Sequence, residues 1–431
     1  MSINEKNNSL AGTRPESPLS FPELIEVTQR CISIPSLSGR EEELIKYLIR
    51  VASRLNFTSV GTDRMGNLIA EATVGSGRGP KIVLTGHTDV VNAAPAAWDP
   101  ETRPWTGSIR EGRLYGRGAV DMKSSLAAML FAAGGLASLP EDYNGKVYLV
   151  GTVVEEFFEG VCFLEALKAI RPDYVIVGEA TRGRINIGQR GRAEITITSF
   201  GQSKHASTGR KVINAIEQIA FIIEAFHRWY RSDVDQVLGK RNIVPTDIKI
   251  PVGGGGGLDG RGGNSTVPNM AEITYDIRTL VEDTPASILH LVRENIKGVV
   301  INGREKYPNF QDPRISFSSE AARTWTGISI EREKFAPAWK TDPEATLVKK
   351  ARAGVKKETG TAPEIGHYSF CTDGSAIPIY RELFPENRID VIGYGPGGEE
   401  DAHTVNESIS LSELETAYRG FRGICRSLLK A

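Results

Sequence analysis

The chain has 431 residues, 40% of them hydrophobic, and 52 Lys+Arg against 53 Asp+Glu for a formal net charge of −1. That is enough to build two domain cores, and a near-neutral chain without basic runs or an acidic tail gives no sign of nucleic acid or of a strongly charged partner. No run approaches the ~18 apolar residues of a membrane span, and four scattered cysteines (Cys31, Cys162, Cys371, Cys425) without CxxC spacing point to reduced thiols in a cytoplasmic protein.

Residues 1–20, "MSINEKNNSLAGTRPESPLS", are polar and carry neither an apolar signal-peptide core nor the Arg-rich pattern of a transit peptide, so a mobile tail is expected. "FPELIEVTQRCISI" places apolar residues at helical spacing. Ser38 and Glu41 form a capping-box pattern ahead of a second helix, "REEELIKYLIRVASRL". Short apolar or β-branched runs follow: "NLIAEATV", "KIVLTG", "KVYLVGTVV" and "DYVIVG". Between the second and third lies "MKSSLAAMLFAAGGLASL", which reads as a buried helix. Strands alternating with helices predict an α/β sheet covered on both faces.

Near residue 192 the pattern changes. "AEITITSF" alternates at period two, as a strand with one open face does. Then come a helical stretch "VINAIEQIAFIIEAFHRWY", strands "TDIKIPV" and "AEITYDIRTL", a helix "ASILHLVRENI" and a strand "RISFSS". This β-α-β-β-α-β order is that of a ferredoxin-like unit. A long Gly-rich loop, residues 253–263, separates its middle strands. After residue 320 the α/β pattern returns, with Asp342 and Pro343 opening a helix that runs to Gly360. A strand "RIDVIGYG" and a final helix close the chain. The expected architecture is an α/β/α mixed-sheet domain over 21–191 and 321–431, with a ferredoxin-like lid domain, 192–320, inserted in it.

Chemistry-bearing side chains gather at the ends of the expected strands. His87 and Asp89 follow "KIVLTG", Glu155 and Glu156 follow "KVYLVGTVV", and Glu179 follows "DYVIVG". Asp121 opens the buried helix, and His403 lies in "EEDAHTVNE" after the last strand. Open α/β sheets bind ligands just beyond the carboxyl ends of their strands. Each signal has an ordinary reading alone, as a solvated His, a surface Glu pair or a helix cap. Together they crowd carboxylates that raise one another's pKa, and a pair of divalent ions removes that difficulty.

The stretches "GHTDVV", "GRGAVDMKSSLAAML", "EEFFEG", "VIVGEAT", "GQSKHAS", "TDGS" and "EDAHTVNE", in this order from about residue 22 onward, resemble the M20 metallopeptidases. That family includes acetylornithine and succinyl-diaminopimelate deacylases and carboxypeptidase G2-like enzymes. "PAAWDP" and "CTDGSAIP" are most similar to the subgroup labelled selenium-metabolism hydrolases (YgeY-like).

The resemblance implies His87 and Glu179 on one metal, Glu156 and His403 on the other, Asp121 bridging both, and Glu155 as general base. It implies zinc, with cobalt or manganese as substitutes. Asp89 is expected to orient His87, since residues two apart in an extended segment share a side. Glu155 and Glu156 can both face the site only if their strand has ended by residue 155. His205 is the implied oxyanion donor from a lid, commonly that of a partner subunit in a homodimer. Asn264 and Arg278 are implied lid contacts to substrate, with Arg278 clamping a carboxylate, and Asp373, Gly374 and Ser375 form the implied substrate-side loop. The expected substrate is a small amide or short peptide.

Three other readings compete. "GYGPGG", residues 393–398, fits a dinucleotide-binding pattern, but Pro396 and the residues after it do not open a helix. Cys371 with a histidine would suggest a thiol hydrolase, though nothing places a base beside it. A non-catalytic binding protein on the same fold would have lost a ligand or the base, and none is missing.

Overall fold

The computed structural model describes residues 20–207, 212–227, 234–251, 265–307 and 309–430. The chain divides into two compact units. The first runs to Gln189 and takes in Ala321–Ile330 and the chain from Trp339 onward, and the second comprises Arg190–Glu320 and Glu331–Ala338.

The first unit is built on a nine-stranded mixed sheet. Its order is Ser59–Thr62, Leu68–Val74, Gly145–Thr152, Lys81–His87, Tyr174–Val177, Asp390–Gly393, Ile185–Gln189 and Trp339–Lys340, with Ile365–Tyr368 also paired to Ile185–Gln189. The four strands from Gly145–Thr152 to Asp390–Gly393 are mutually parallel, so their carboxyl ends open at one edge. They read as near-continuous apolar runs because helices bury both faces. The helix Lys123–Gly134 lies against them with all twelve residues buried, which is why from Leu126 onward it carries only apolar or small residues on every side. It comes close because two strand-end positions are glycine: a Cβ on Gly86 would sit 2.3 Å from Met122 Cε, and one on Gly178 would sit 2.6 Å from Met129 Cε. This close approach brings Asp121 to the strand ends.

Helices Thr346–Thr359 and Leu411–Leu429 cross at a pair of glycines, and a Cβ on Gly354 would lie 2.2 Å from the carbonyl oxygen of Gly423. Asp342 does not cap the first of them. Its Oδ1 instead accepts the N–H of Glu344 in a local turn at 2.8 Å, so the helix opens later and ends at Gly360, φ 85°. The Ser38–Glu41 capping box does not form either. The helix Glu42–Ala52 has no side-chain cap, because both side chains are engaged elsewhere.

The second unit has a sheet ordered Asn242–Lys249, Met270–Thr279, Gly191–Phe200, Arg314–Phe317, antiparallel throughout. With helices Ala215–His227 and Pro285–Lys306 this is the ferredoxin-like strand order. Alternation in Gly191–Phe200 sends Ile195 and Ile197 into a core with Ile219, Ile222, Ile273, Ile277, Ile288 and Val292, while Thr196 and Glu194 face the other way. The Gly-rich loop 253–263 lies outside the described residues. Among the described residues, no helix is long and apolar enough to cross a membrane.

Candidate metal centre

Two groups of ligand-type side chains stand at the strand-end edge of the first unit: His87, Asp121 and Glu179, and Asp121, Glu156 and His403. Asp121 belongs to both. Its Oδ1 lies 2.6 Å from His87 Nε2 and its Oδ2 lies 3.0 Å from His403 Nε2. Glu179 Oε1 is 3.3 Å from His87 Nε2, and Glu156 Oε2 is 3.3 Å from His403 Nε2. His403, at φ 60°, is the exposed member, whereas His87 and Glu179 are buried.

The electrostatics are those of crowded, buried carboxylates. Burial pushes Glu155 well above the ordinary carboxyl range, and Asp373, Glu179 and Glu156 add to it. Burial also lifts Glu179 to about 7. Burial would raise Asp121 too, but the two imidazoles facing its oxygens hold it low. Hydrogen bonds to Asp121 and Glu156 lift His403 to about 10. Four carboxylates share two imidazoles here, an excess of buried negative charge that cations relieve. A donor set of one imidazole and carboxylates on each side, with one carboxylate offering an oxygen to each, fits a pair of divalent ions.

The strand Gly145–Thr152 ends before the glutamates. Val154 then takes φ 59° and its carbonyl accepts the Phe158 N–H at 3.1 Å. Glu155 and Glu156 therefore stand in a turn, where consecutive side chains no longer alternate as they do in a strand. The role expected of the Asp89 carboxylate is not what the geometry gives. His87 Nδ1 lies 2.8 Å from the backbone oxygen of Asp89 and 3.8 Å from its Oδ1. A carbonyl only accepts, so Nδ1 donates to it, and Nε2 is the ring nitrogen turned to Asp121 and Glu179. The carboxylate is occupied by the N–H groups of Glu155 and Glu156, each at 3.1 Å, and by Ser38 Oγ at 2.7 Å.

The expected substrate-side loop is buried. Asp373 accepts from Thr152 Oγ1 at 2.6 Å and from the Gly160 N–H at 3.2 Å. Ser375 Oγ receives Gln189 Nε2 at 2.7 Å. Gly374 lies against the Trp339 indole, where a Cβ would be 2.2 Å from Nε1. These three residues lie buried, with the Asp373 carboxylate close enough to Glu155 to raise its pKa.

In the second unit, Arg278 pairs with Asp276 of its own strand, Nε to Oδ1 at 2.8 Å. His205 is exposed, and its Nδ1 accepts the Ser207 N–H at 3.2 Å. Asn264 lies outside the described residues.

A sequence model of Peptidase family M20/M25/M40 matches residues 83–427. The chain belongs to that family. This M20 chain is 27% identical over 403 residues to the uncharacterised protein YgeY of Escherichia coli K12, covering 92% of each. It is 27% identical over 412 residues to acetylornithine deacetylase of Proteus mirabilis, covering 92% of this chain and 94% of that one. In fold it resembles aminopeptidase PepT of Bacillus cereus (TM-score 0.68, 18% identity, 96% of this chain and 100% of the other). It also resembles the dipeptidase Dug1p of Saccharomyces cerevisiae (TM-score 0.69, 13% identity, 95% and 96%). As an M20 member the chain is a metal-dependent amidohydrolase.

The M20 centre also rests on residues the sequence reading passed over. Glu407 accepts the N–H groups of Val120 and Asp121 at 2.8 and 3.2 Å and pairs with buried Arg117 at 2.5 Å. Arg117 in turn donates to the carbonyl of His403 at 3.2 Å. Their only sequence signal was adjacency, Arg117 four places before Asp121 and Glu407 four places after His403. The dinucleotide reading fails: 393–398 leads into a single turn at Glu399–Asp401, not a helix. Cys371 is buried.

Proposed function

We propose that the chain hydrolyses the amide bond of a small N-acyl amino acid or short peptide with two divalent ions, zinc first among them. The observation that carries this reading is the shared carboxylate of Asp121, one oxygen toward His87 and the other toward His403. In this reading His87, Asp121 and Glu179 hold one ion, and Asp121, Glu156 and His403 hold the other. Such a pair supplies a polarised carbonyl and a water acidic enough to attack it near neutral pH.

Glu155 is the carboxyl beside both sets that completes neither. Buried at the strand ends, it takes the proton of the attacking water and delivers it to the nitrogen of the leaving amine. His205, with its ring proton on Nε2, donates to the oxyanion, and the second unit mediates a homodimer in the cytoplasm. Relatives named as deacetylase and desuccinylase support N-acyl amine substrates. Fold neighbours named as dipeptidase and tripeptidase support short peptides.

The test is a screen of N-acyl amino acids, dipeptides and carbamoyl compounds against metal-free protein reloaded with Zn, Co or Mn. Metal-restored hydrolysis of one class is the expected result. Tight binding of two ions with no turnover would favour a binding protein. Turnover that resists chelation but is lost in Cys371→Ser would favour a thiol enzyme.

A further inference from the structure

Four consecutive backbone N–H groups, of Val153, Val154, Glu155 and Glu156, each donate to a side chain from elsewhere in the first unit. The acceptors are Asn67 Oδ1 at 3.1 Å, Glu41 Oε1 at 3.0 Å, and the two oxygens of Asp89 at 3.1 Å each. The least expected of these is Glu41. It lies at the start of a helix it does not cap, its side chain is wholly buried, and the same Oε1 also takes the Gly39 N–H at 2.8 Å. The N–H it holds belongs to Val154, the one residue of the four with positive φ, in a region that a β-branched side chain avoids.

From this geometry we infer that Glu41 is a positioning residue for the pair Glu155–Glu156. If Val154 relaxed to the extended region, the turn it opens, closed by the Phe158 N–H on its carbonyl at 3.1 Å, would swing away from the strand end and carry both glutamates with it. Glu156 would then leave Asp121 and His403. Glu41 touches neither substrate nor ligand atoms and acts only through the peptide at Val154. The inference rests on the reading of Glu156 as a ligand and Glu155 as the base.

Three variants separate reach from charge. Glu41→Gln keeps an oxygen at the same distance, Glu41→Asp keeps the charge but withdraws it by one methylene, and Glu41→Ala removes both. Metal-free protein is titrated with Co²⁺, followed by its absorption spectrum. The Asp and Ala variants should bind one ion as the wild type does and the other ~10–100-fold more weakly, the usual loss when a partner behind the ligands is removed. On a hydrolysed substrate, kcat should fall over the same ~10–100-fold range with KM nearly unchanged. Glu41→Gln should restore both.

Unchanged ion binding in Glu41→Asp would overturn the inference. So would equal weakening of both ions that Gln does not restore, since that marks a general loss of structure. If Ala fails to fold, the Asp and Gln variants decide alone. A chain that hydrolyses nothing would sink the function proposed above, yet the Co²⁺ titration would still test Glu41. Full activity in Glu41→Asp beside a dead Glu155→Gln would sink only Glu41.

Discussion

His87 Nδ1 is held by the backbone oxygen of Asp89 at 2.8 Å, while the Asp89 carboxylate stands 3.8 Å off and serves another segment. Asp89→Asn keeps that backbone oxygen but puts an amide NH₂ where one of two N–H groups must be accepted. The ion beside His87 should therefore bind as in the wild type, while the ion beside His403 weakens and kcat falls by ~10–100-fold. Titrating the single-ion protein His403→Ala with and without Asp89→Asn checks the first half. Loss of the remaining ion there would return the carboxylate to the role of orienting His87.

Glu155→Gln should keep two ions per chain and lose turnover, because an amide matches the shape but cannot take a proton. The expected fall is ~10²–10⁴-fold, the usual share of a general base. Metal analysis of the purified variant is the control, and loss of an ion would exchange the assignments of Glu155 and Glu156.

His87→Ala and His403→Ala should each leave about one ion, since Asp121 is the only side chain common to both groups. Two ions retained in either variant would mean that the centre is assembled differently.

His205→Ala should lower kcat by ~10²–10³, the cost of removing one oxyanion donor, without changing metal content. If the residue acts across a homodimer, tagged heterodimers of His205→Ala with Glu155→Gln should regain activity, since one of their two sites holds both residues intact. Confirmed heterodimers without activity would confine His205 to its own subunit or remove it from catalysis.

Gly354→Ala tests the helix crossing. Alanine gains ~1 kcal/mol in helix propensity, but its Cβ meets backbone at 2.2 Å, and backbone cannot rotate away as a side chain can. Overpacking of ~1–3 kcal/mol should win, lowering Tm with metal content intact. A raised Tm would show that the crossing has slack.

The sheet's central strands and the buried helix were legible because runs such as "KIVLTG" need no partner information to be read as buried. Edge pieces such as Ser59–Thr62 and Trp339–Lys340 are too short to show alternation. That His87, Glu179 and His403 converge was legible from strand ends alone. Why Glu155 and Glu156 converge was not, because nothing local announces a valine at positive φ. Ser38 and Glu41 show the limit most plainly. Their spacing is that of a helix cap, yet one hydroxyl goes to Asp89 and one carboxylate to Val154, choices set by segments far along the chain. Asp373 likewise had the composition of a binding loop, and only its burial shows that Thr152 and Gly160 consume it.

The strand Asp390–Gly393 lies inside the sheet, between Tyr174–Val177 and Ile185–Gln189, and His403 follows it. A chain emerging from the ribosome carries His87, Asp121 and Glu179 long before that strand exists. Until it arrives, the sheet has a gap in its middle with two unpaired inner edges, the kind of surface that aggregates. Closing the gap and delivering His403 are one event in folding. Occupancy of the proposed ion position at His403 would thus report that the gap has closed, and a chain cut short before Asp390 could not imitate it.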